Sequence, residues 1–234
     1  MKRASVAVVG ANGYVGRALC VAVENRPELE LTRVTRADYE RCSQREYDFL
    51  INAAMPSKRF WAKSNPGQDF LETVQKTAEL LYGWKYRKFV QISSVSARCE
   101  PQSVYGRHKA TAESLCGSDA LIVRLSAMFS ADLGKGALVD ILAGKPVFVD
   151  ASSRYPFASK TFAVDWVARN LGRTGVVEVG ARNAVSLGEI ARHLRRDVKF
   201  SGPVEDQSLA NPDPGYPDAN EVLAFMDAQA KTPR

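Results

Sequence analysis

The feature that most constrains the fold is a glycine-rich turn near the start of the chain. The apolar run Val6-Ala7-Val8-Val9 predicts a buried parallel strand, and residues 14–25 carry apolar side chains at helical spacing. Between them stands Gly10-Ala11-Asn12-Gly13-Tyr14-Val15-Gly16. Glycines at such a junction let the backbone turn sharply and approach other groups closely. This order of strand, glycine turn and helix predicts the first unit of a doubly wound α/β fold.

The same turn is typical of a pyrophosphate-binding site. Without side chains at Gly10 and Gly13, backbone N–H groups can approach the phosphates, and Gly16 permits close packing of the helix on the strand. The positive end of the helix dipole then faces the phosphates. We therefore expect a dinucleotide to be bound by Gly10, Asn12, Gly13, Tyr14, Val15 and Gly16. The alternative interpretation is a glycine-rich connection that binds no ligand.

Strands and helices alternate along the first half of the chain. Further strands are predicted at 29–35, 47–53, 88–93 and 121–125, and helices at 70–82 and 104–115. The alternation predicts a Rossmann-type doubly wound parallel sheet over residues 1–125. A smaller substrate-binding region is expected over residues 126–234. Its predicted elements are a strand at 147–149, a helix from about 165, a strand at 176–179, a helix at 187–194, a loop at 203–217 and a final helix at 219–230.

Composition and charge restrict the class of protein. With 45% hydrophobic and 25% charged residues, the chain is typical of globular proteins. Its apolar runs are too short for a membrane helix or a signal peptide, so we expect a cytoplasmic protein with no membrane partner. The net charge of +6 suits an anionic partner, either nucleic acid or a phosphorylated small molecule. No histidines and carboxylates have metal-ligand spacing, so no metal is expected.

The end of the second predicted strand bears on the choice of dinucleotide. In such folds an acidic residue at this place binds the ribose hydroxyls of NAD, and a positive one suits the 2′-phosphate of NADP. Arg36 therefore favours NADP, with NAD as the alternative. Arg33 is close by, and a slip of two residues would bring Asp38 to the strand end. An arginine that contacts no ligand is also common at such a position.

A tyrosine and a lysine at YxxxK spacing provide candidate proton-transfer groups. Tyr105 and Lys109 begin a predicted helix and share one face, one turn apart. A nearby cation can lower the tyrosine pKa from about 10 by about one to three units. Ser94 directly follows the fourth predicted strand, at the edge where ligands of open α/β sheets bind. His108 points away from the Tyr105 and Lys109 face, and we expect it in solvent.

These features together resemble the short-chain dehydrogenase/reductase superfamily. The likeness is specifically to its extended branch, the NAD(P)-dependent epimerase/dehydratase family of nucleotide-sugar enzymes. Besides the glycine turn and YxxxK, it rests on segments 51–54, 92–94, 123–125, 162–165 and 176–180. Within the first of these, Ala53 and Ala54 are similar to the family's alanine pair beside the cofactor.

The resemblance implies specific roles for these residues. Ser94, Tyr105 and Lys109 would form a catalytic triad, with Lys109 also holding the nicotinamide ribose. Arg36 would contact the adenosine end of the cofactor. Arg154 and Lys160 flank a loop whose family counterpart meets the substrate diphosphate, so they join Ser94 and Tyr105 as candidate substrate-binding residues. A homodimer through the helices at 70–82 and 104–115 is also implied.

We therefore expect an enzyme, an NAD(P)-dependent ketoreductase or 4-epimerase acting on a nucleotide-linked sugar or a similar carbonyl or alcohol substrate. Its partner would be an anionic small molecule, with no nucleic acid. Eleven positions separate Ser94 from Tyr105, fewer than extended members usually have. Val95 and Ser96 stand where the family's dehydratases have acidic residues, which argues against dehydration. The alternative is a non-catalytic regulator that senses NAD(P) and binds a macromolecule.

Overall fold

The computed structural model describes residues 3–231, which divide into two compact units. The first unit runs to Leu125 and also includes Val164–Val177. The second comprises Ser126–Ala163 and the chain from Glu178 onward. Residues 164–177 are predicted as part of the region 126–234, whose strands and helices are expected to return to the core. These residues belong to the first unit because a strand that begins at Gly175 joins its sheet.

The bounds of the strands and helices are as follows. The strands are β1 (Ala4–Val9), β2 (Leu29–Val34), β3 (Glu46–Asn52), β4 (Lys85–Ser94), β5 (Leu121–Leu125), β6 (Met128–Phe129), β7 (Arg154–Tyr155), β8 (Ala158–Ser159), β9 (Gly175–Val179) and β10 (Val185–Ser186). The helices are α1 (Tyr14–Glu24), α2 (Tyr39–Ser43), α3 (Arg59–Ser64), α4 (Pro66–Phe70), α5 (Lys76–Gly83), α6 (Ser96–Cys99), α7 (Val104–Ser114), α8 (Ala137–Leu142), α9 (Lys160–Arg169), α10 (Leu187–His193) and α11 (Glu221–Lys231).

A six-stranded parallel sheet in the order β2-β1-β3-β4-β5-β9 organises the first unit. This confirms the predicted Rossmann-type fold. The sheet grows in opposite directions from β1, because β2 pairs with one side of it and β3 with the other. The turns that follow β1 and β3 therefore flank the topological switch point, where open α/β sheets bind their ligands. The glycine turn stands at this place.

One face of the sheet is covered by an apolar core of the first unit. Leu50 and Leu80 are fully buried there, together with Tyr47, Trp84 and Phe89. The rings of Tyr47 and Trp84 are stacked with centroids 6.0 Å apart, and the Tyr47 hydroxyl donates a hydrogen bond to the Cys42 carbonyl at 3.1 Å. These contacts cover the centre of the sheet, where β3 pairs with β4.

The helix predicted at 70–82 is longer and less regular than expected. It begins at Pro66 with α4, passes through a π-helical turn at Leu71–Gln75 and ends with α5. Proline at the first helical position is well suited to a helix start, because its missing N–H would have had no intrahelical partner. π-helical turns are rare and are found often at functional sites.

The second unit has its own core and only short strands. β7 pairs with β10 in antiparallel fashion, and β6 pairs with β8 in parallel. The core includes Leu187 and Ile190 of α10 and Val222 and Met226 of α11. At the start of α10, Ser186 and Glu189 form a capping box that satisfies two backbone N–H groups.

Several boundaries of the second region differ from those predicted. Helix α9 begins at Lys160 rather than near 165, because the Ser159 hydroxyl accepts a hydrogen bond from the Phe162 N–H and caps the helix. The expected strand at 147–149 is reduced to an isolated bridge between Val147 and Phe200. Over the described residues, no helix has the length and apolar character needed to span a membrane.

Replacement of Gly106 should test how tightly α7 packs on the preceding loop. A Cβ at Gly106 would lie 2.1 Å from the Glu100 carbonyl oxygen and 2.6 Å from that of Ser96. We expect Gly106→Ala to lower the free energy of unfolding by about 1–3 kcal/mol in urea denaturation, the usual cost of overpacking. Gly67→Ala is the control, because nothing lies within 4 Å of a Cβ at that helical position. Equal effects of the two substitutions would contradict the packing.

Candidate active site

The turn after β1 packs directly against the segment that follows β3. Gly10 has a φ of +86°, which disfavours any residue with a side chain. A Cβ there would lie 2.6 Å from the Ala54 Cα and 2.7 Å from the Ala53 oxygen, and a Cβ at Gly16 would lie 2.1 Å from the Gly10 oxygen. Glycine at both positions therefore brings three stretches of backbone together at the switch point.

The N-terminus of α1 has the properties of an anion site. Gly13 is its N-cap, so no side chain caps the helix, and no acidic residue stands in the first turn. Helix N-termini carry a partial positive charge and N–H groups that suit phosphates. Asn12, Tyr14 and Val15 belong to the same turn. The arrangement fits the pyrophosphate of a dinucleotide.

A buried network of polar side chains, centred on Asn52, holds the backbone of the Ala53 and Ala54 segment in place. The Asn52 side chain is fully buried, and its Nδ2 donates to Thr77 Oγ1 and Gln91 Oε1, both at 3.1 Å. Its Oδ1 accepts from the Ala54 N–H at 3.2 Å. Buried amides need such partners to offset the cost of desolvation. The network fixes the backbone against which the glycine turn packs.

Arg36 follows β2 by two residues, and its side chain extends into solvent, with 95% of it exposed. Its ion pair to Glu72 is long, at 3.7 Å. Arg33 instead forms a bidentate pair with Glu24. Asp38 accepts hydrogen bonds from Arg41 and Thr35, and these lower its pKa. Arg33 and Asp38 are thus engaged with other protein groups.

The structure brings Ser94, Tyr105 and Lys109 together within the first unit. Ser94 is the last residue of β4, and its hydroxyl accepts from the Ser96 N–H at 3.2 Å. Tyr105 and Lys109 lie one turn apart on α7, whose N-cap Ser103 accepts from the Gly106 N–H at 2.9 Å. The Lys109 Nζ lies 5.1 Å from the centre of the Tyr105 ring.

Burial dominates the titration of this pair. Tyr105 is 7% and Lys109 3% exposed. Desolvation raises the pKa of Tyr105 to about 12, although the Ser94 side chain and the Arg59 charge act in the opposite direction. Desolvation likewise lowers the pKa of Lys109 to about 7, against the attraction of Asp69 and Glu113. The prediction that Lys109 lowers the pKa of Tyr105 is therefore wrong. Desolvation of the buried phenol raises this pKa by more than the nearby positive charge and hydrogen bond lower it.

Two acidic residues that the sequence does not point to, Asp69 and Glu113, act electrostatically on Lys109. Asp69 of α4 is fully buried and accepts a hydrogen bond from His108 Nδ1 at 2.7 Å. His108 is not in solvent as expected, because its side chain is only 17% exposed and is held by this contact. Glu113 of α7 accepts from Ser93 and Arg124. YxxxK spacing places Glu113 one further turn along, but no sequence pattern relates Asp69 to His108.

Arg154 and Lys160 both lie in the second unit. The Arg154 guanidinium donates to the Ala184 carbonyl at 2.9 Å, and Lys160 forms an ion pair with Asp132. Their assignment to a substrate diphosphate stays a prediction. Within residues 3–231, no group of three or more His, Cys, Asp or Glu side chains is arranged to hold a metal ion.

The buried lysine should leave a signature in the pH dependence of stability. Because its pKa falls from 10.5 to about 7 on folding, the unfolded chain binds more protons between those values, and stability should rise with pH there. We expect the difference in unfolding free energy between wild type and Lys109→Met to change by up to about 1.4 kcal/mol per pH unit in this window. Chemical denaturation at several pH values measures it. The exposed Lys63→Met is the control, and parallel curves for all three proteins would refute the burial of a titrating lysine.

Solved structures with the same fold include several nucleotide-sugar enzymes. UDP-N-acetylglucosamine 4-epimerase from Methanobrevibacter ruminantium M1, in complex with UDP-N-acetylmuramic acid, is 15% identical with a TM-score of 0.75, covering 99% of this chain and 98% of that one. dTDP-4-dehydrorhamnose reductase from Bacillus anthracis str. Ames, in complex with NADP, is 17% identical with a TM-score of 0.73, covering 98% and 100%. UDP-glucuronic acid 4-epimerase from Bacillus cereus, in complex with UDP-glucuronic acid and NAD, is 18% identical with a TM-score of 0.69, covering 94% and 93%.

At these identities the structural likeness establishes the fold alone. No curated protein sequence matches the chain. The family model of the NAD dependent epimerase/dehydratase family matches residues 6–140, which is more than half of the chain. The match includes the glycine turn, the end of β4 and the Tyr105 and Lys109 pair. The chain therefore belongs to the NAD-dependent epimerase/dehydratase family.

Proposed function

We propose that the protein is an NAD(P)-dependent oxidoreductase acting on a nucleotide-linked sugar. The observation that carries the proposal is the buried pair of Tyr105 and Lys109 beside Ser94, in a fold whose glycine turn suits a pyrophosphate. Membership of the family supports it. So do the similar structures, which include 4-epimerases and a reductase of nucleotide sugars.

In this mechanism the residues of the chain move one proton and orient one oxygen. A bound nicotinamide dinucleotide supplies the hydride chemistry. With its pKa raised to about 12, Tyr105 keeps its proton at neutral pH and can donate it to the substrate oxygen in the reducing direction. Ser94 would hydrogen-bond the same oxygen, and Lys109 would stabilise the phenolate that results.

The reaction would be ketone reduction or 4-epimerisation, since both use these groups. Dehydration requires a further acid and base, and Val95 and Ser96 supply neither. Glu100 acts electrostatically on Tyr105, but its carboxylate is bound by Arg59 at 2.6 Å and by Ser96 at 3.0 Å. A carboxylate held by a cation and a hydroxyl is poorly suited to take part in proton transfer.

Exposed apolar side chains support a homodimer through the helical segment 66–83. Phe70 and Leu71 are nearly half exposed, and Tyr82 is 77% exposed. Large apolar side chains grouped on one surface are typical of an interaction site. A second copy of the chain is the partner we propose for this face.

We propose NADP as the preferred dinucleotide, because Arg36 is extended into solvent while Arg33 and Asp38 are engaged elsewhere. Arg36→Ala should weaken NADPH binding about tenfold or more, since a charge-assisted bond to the 2′-phosphate is lost, and should leave NADH binding nearly unchanged. Fluorescence titration with both dinucleotides measures this. Arg33→Ala is the matched control. Equal losses for NADPH and NADH would show that Arg36 does not select the cofactor.

Replacement of Tyr105 by phenylalanine tests the proposed activity. Turnover should fall about 100-fold or more while dinucleotide affinity stays nearly constant, because only the proton-transfer group is removed. The assay follows NAD(P)H absorbance and product formation with UDP-linked and dTDP-linked hexoses and their 4-keto derivatives. Lys63→Met, at an exposed position outside the site, should retain full activity.

Wild-type turnover by Tyr105→Phe would refute the mechanism. A different result would favour the regulator instead: no turnover of any nucleotide sugar by the wild-type protein, together with binding of a macromolecule that depends on the dinucleotide.

A further inference from the structure

Glu100 stands midway between Ser94 and Tyr105, in the turn that joins α6 to α7. The residue is 8% exposed, and burial of a carboxylate is costly unless partners compensate. The Arg59 guanidinium of α3 supplies the opposite charge, with its Nη1 2.6 Å from Glu100 Oε1. The Ser96 hydroxyl, which is buried, donates to the same oxygen at 3.0 Å. One cation and one hydroxyl therefore hold the carboxylate in place.

The side chain of Glu100 is connected to Ser94 through Ser96. Ser96 is the first residue of α6, where the backbone N–H groups have no intrahelical partner. Its N–H donates instead to Ser94 Oγ at 3.2 Å. Because the Ser94 oxygen accepts this bond through a lone pair, the hydroxyl can still donate its own proton to another oxygen. Ser96 thus joins the two groups, with its hydroxyl on Glu100 and its N–H on Ser94.

The backbone of Glu100 holds the start of the helix that carries Tyr105. Its carbonyl oxygen accepts from the Ser103 N–H at 2.9 Å and from the Ser103 hydroxyl at 3.0 Å. Ser103 is the N-cap of α7, and its hydroxyl oxygen accepts from the Gly106 N–H. Glu100 is therefore connected to Ser94 by its side chain and to the helix of Tyr105 by its backbone.

We propose that Glu100 is a positioning residue: its carboxylate, paired with Arg59, holds Ser96 so that the Ser94 hydroxyl stays oriented beside Tyr105. The catalytic use of this orientation rests on the proposed function, whereas the hydrogen-bonded connection does not. Glu100 moves no proton itself and acts through Ser96 and Ser94.

The effect of a displaced Ser94 would reach the proton donor as well as the substrate. The Ser94 side chain acts on Tyr105 in the direction of a lower pKa, against the effect of burial. In the proposed mechanism the same hydroxyl binds the substrate oxygen. A residue that fixes Ser94 therefore affects both partners of the proton transfer.

Hydrogen exchange of the Ser96 amide tests the connection without cofactor or substrate. Exchange is followed by NMR in isotopically labelled protein. We expect Glu100→Leu to speed exchange of this amide about tenfold or more, because the turn that holds it against Ser94 is released. Glu100→Gln keeps an oxygen that can accept from both Arg59 and Ser96, so the rate should stay within about twofold of wild type.

Two further variants complete the exchange experiment. Ser96→Ala breaks the same connection but keeps the ion pair of Arg59 and Glu100, so it covers the case in which Glu100→Leu does not fold. Its residue-96 amide should also exchange about tenfold faster or more, after correction for the intrinsic rate of alanine. Glu24→Leu removes the carboxylate of an exposed arginine pair and should leave the rate unchanged. Thermal unfolding of each variant confirms that it is folded.

Turnover tests the catalytic consequence. The kcat of Glu100→Leu should fall about tenfold or more while its dinucleotide Kd stays nearly constant, because a misoriented hydroxyl acts in the transition state. Glu100→Gln should recover most of the loss. When Ser94 is already replaced by alanine, Glu100→Leu should cause no further loss, since its effect passes through Ser94.

Unchanged amide exchange in the folded Glu100→Leu or Ser96→Ala protein would overturn the connection. Equal kcat values for Glu100→Leu and Glu100→Gln, or a full additional loss in the Ser94→Ala background, would overturn the positioning role. A wild-type protein without turnover would refute the proposed function and leave the exchange result intact. An active enzyme whose exchange responds while its kcat does not would refute the positioning role alone.

Discussion

The candidate site depends on a close approach of backbones that leaves no room for side chains. At Gly10 the turn after β1 lies so near Ala53 and Ala54 that any Cβ would collide with them. The Asn52, Thr77 and Gln91 network fixes the opposite side of that contact. The order of the strands reverses between β1 and β3, and open α/β sheets bind their ligands at the carboxyl ends of the strands at such a point. The contact between the glycine turn and Ala53 and Ala54 lies at this place. The serine at the end of β4 belongs to the same edge.

A second property of the site is that it buries charge. Lys109, Asp69 and Glu113 are all less than a tenth exposed, and each would be more stable in water if considered alone. Glu113 recovers part of this cost from Arg124, and Glu100 does so from Arg59. The low dielectric that imposes the cost also strengthens each interaction within the cluster. A proton donor held in such surroundings responds strongly to charge in its vicinity.

The sequence predicts the fold well where elements are long and regularly patterned. Such elements include β1, β4, β5 and α7. Their pattern also predicts that the glycine turn joins a strand to a helix, that Ser94 lies at a strand end and that Tyr105 and Lys109 share one face of a helix. The prediction fails for strands of two residues such as β7 and β10, which have no periodicity to detect. It also fails for His108, because helical spacing gives the direction of a side chain but not the element that packs against it. Asp69 could be found only through the tertiary contact.

The burial pattern of the segment from Pro66 to Gly83 explains why the sequence does not predict the contact between Asp69 and His108. Asp69, Thr73 and Thr77 are buried along it, while Phe70 and Leu71 are exposed. Apolar periodicity predicts the opposite burial for these five residues, since apolar residues normally point inward, as Val74 and Leu80 of the same segment do. The reversal lowers the stability of an isolated chain, because polar groups lose water and apolar groups face it. The polar side chains of the segment include Asp69, which forms its hydrogen bond with His108 of α7. The π-helical turn at Leu71–Gln75 separates the part of the segment that carries Asp69 from the part that carries Thr77, and turns of this kind are found often at functional sites.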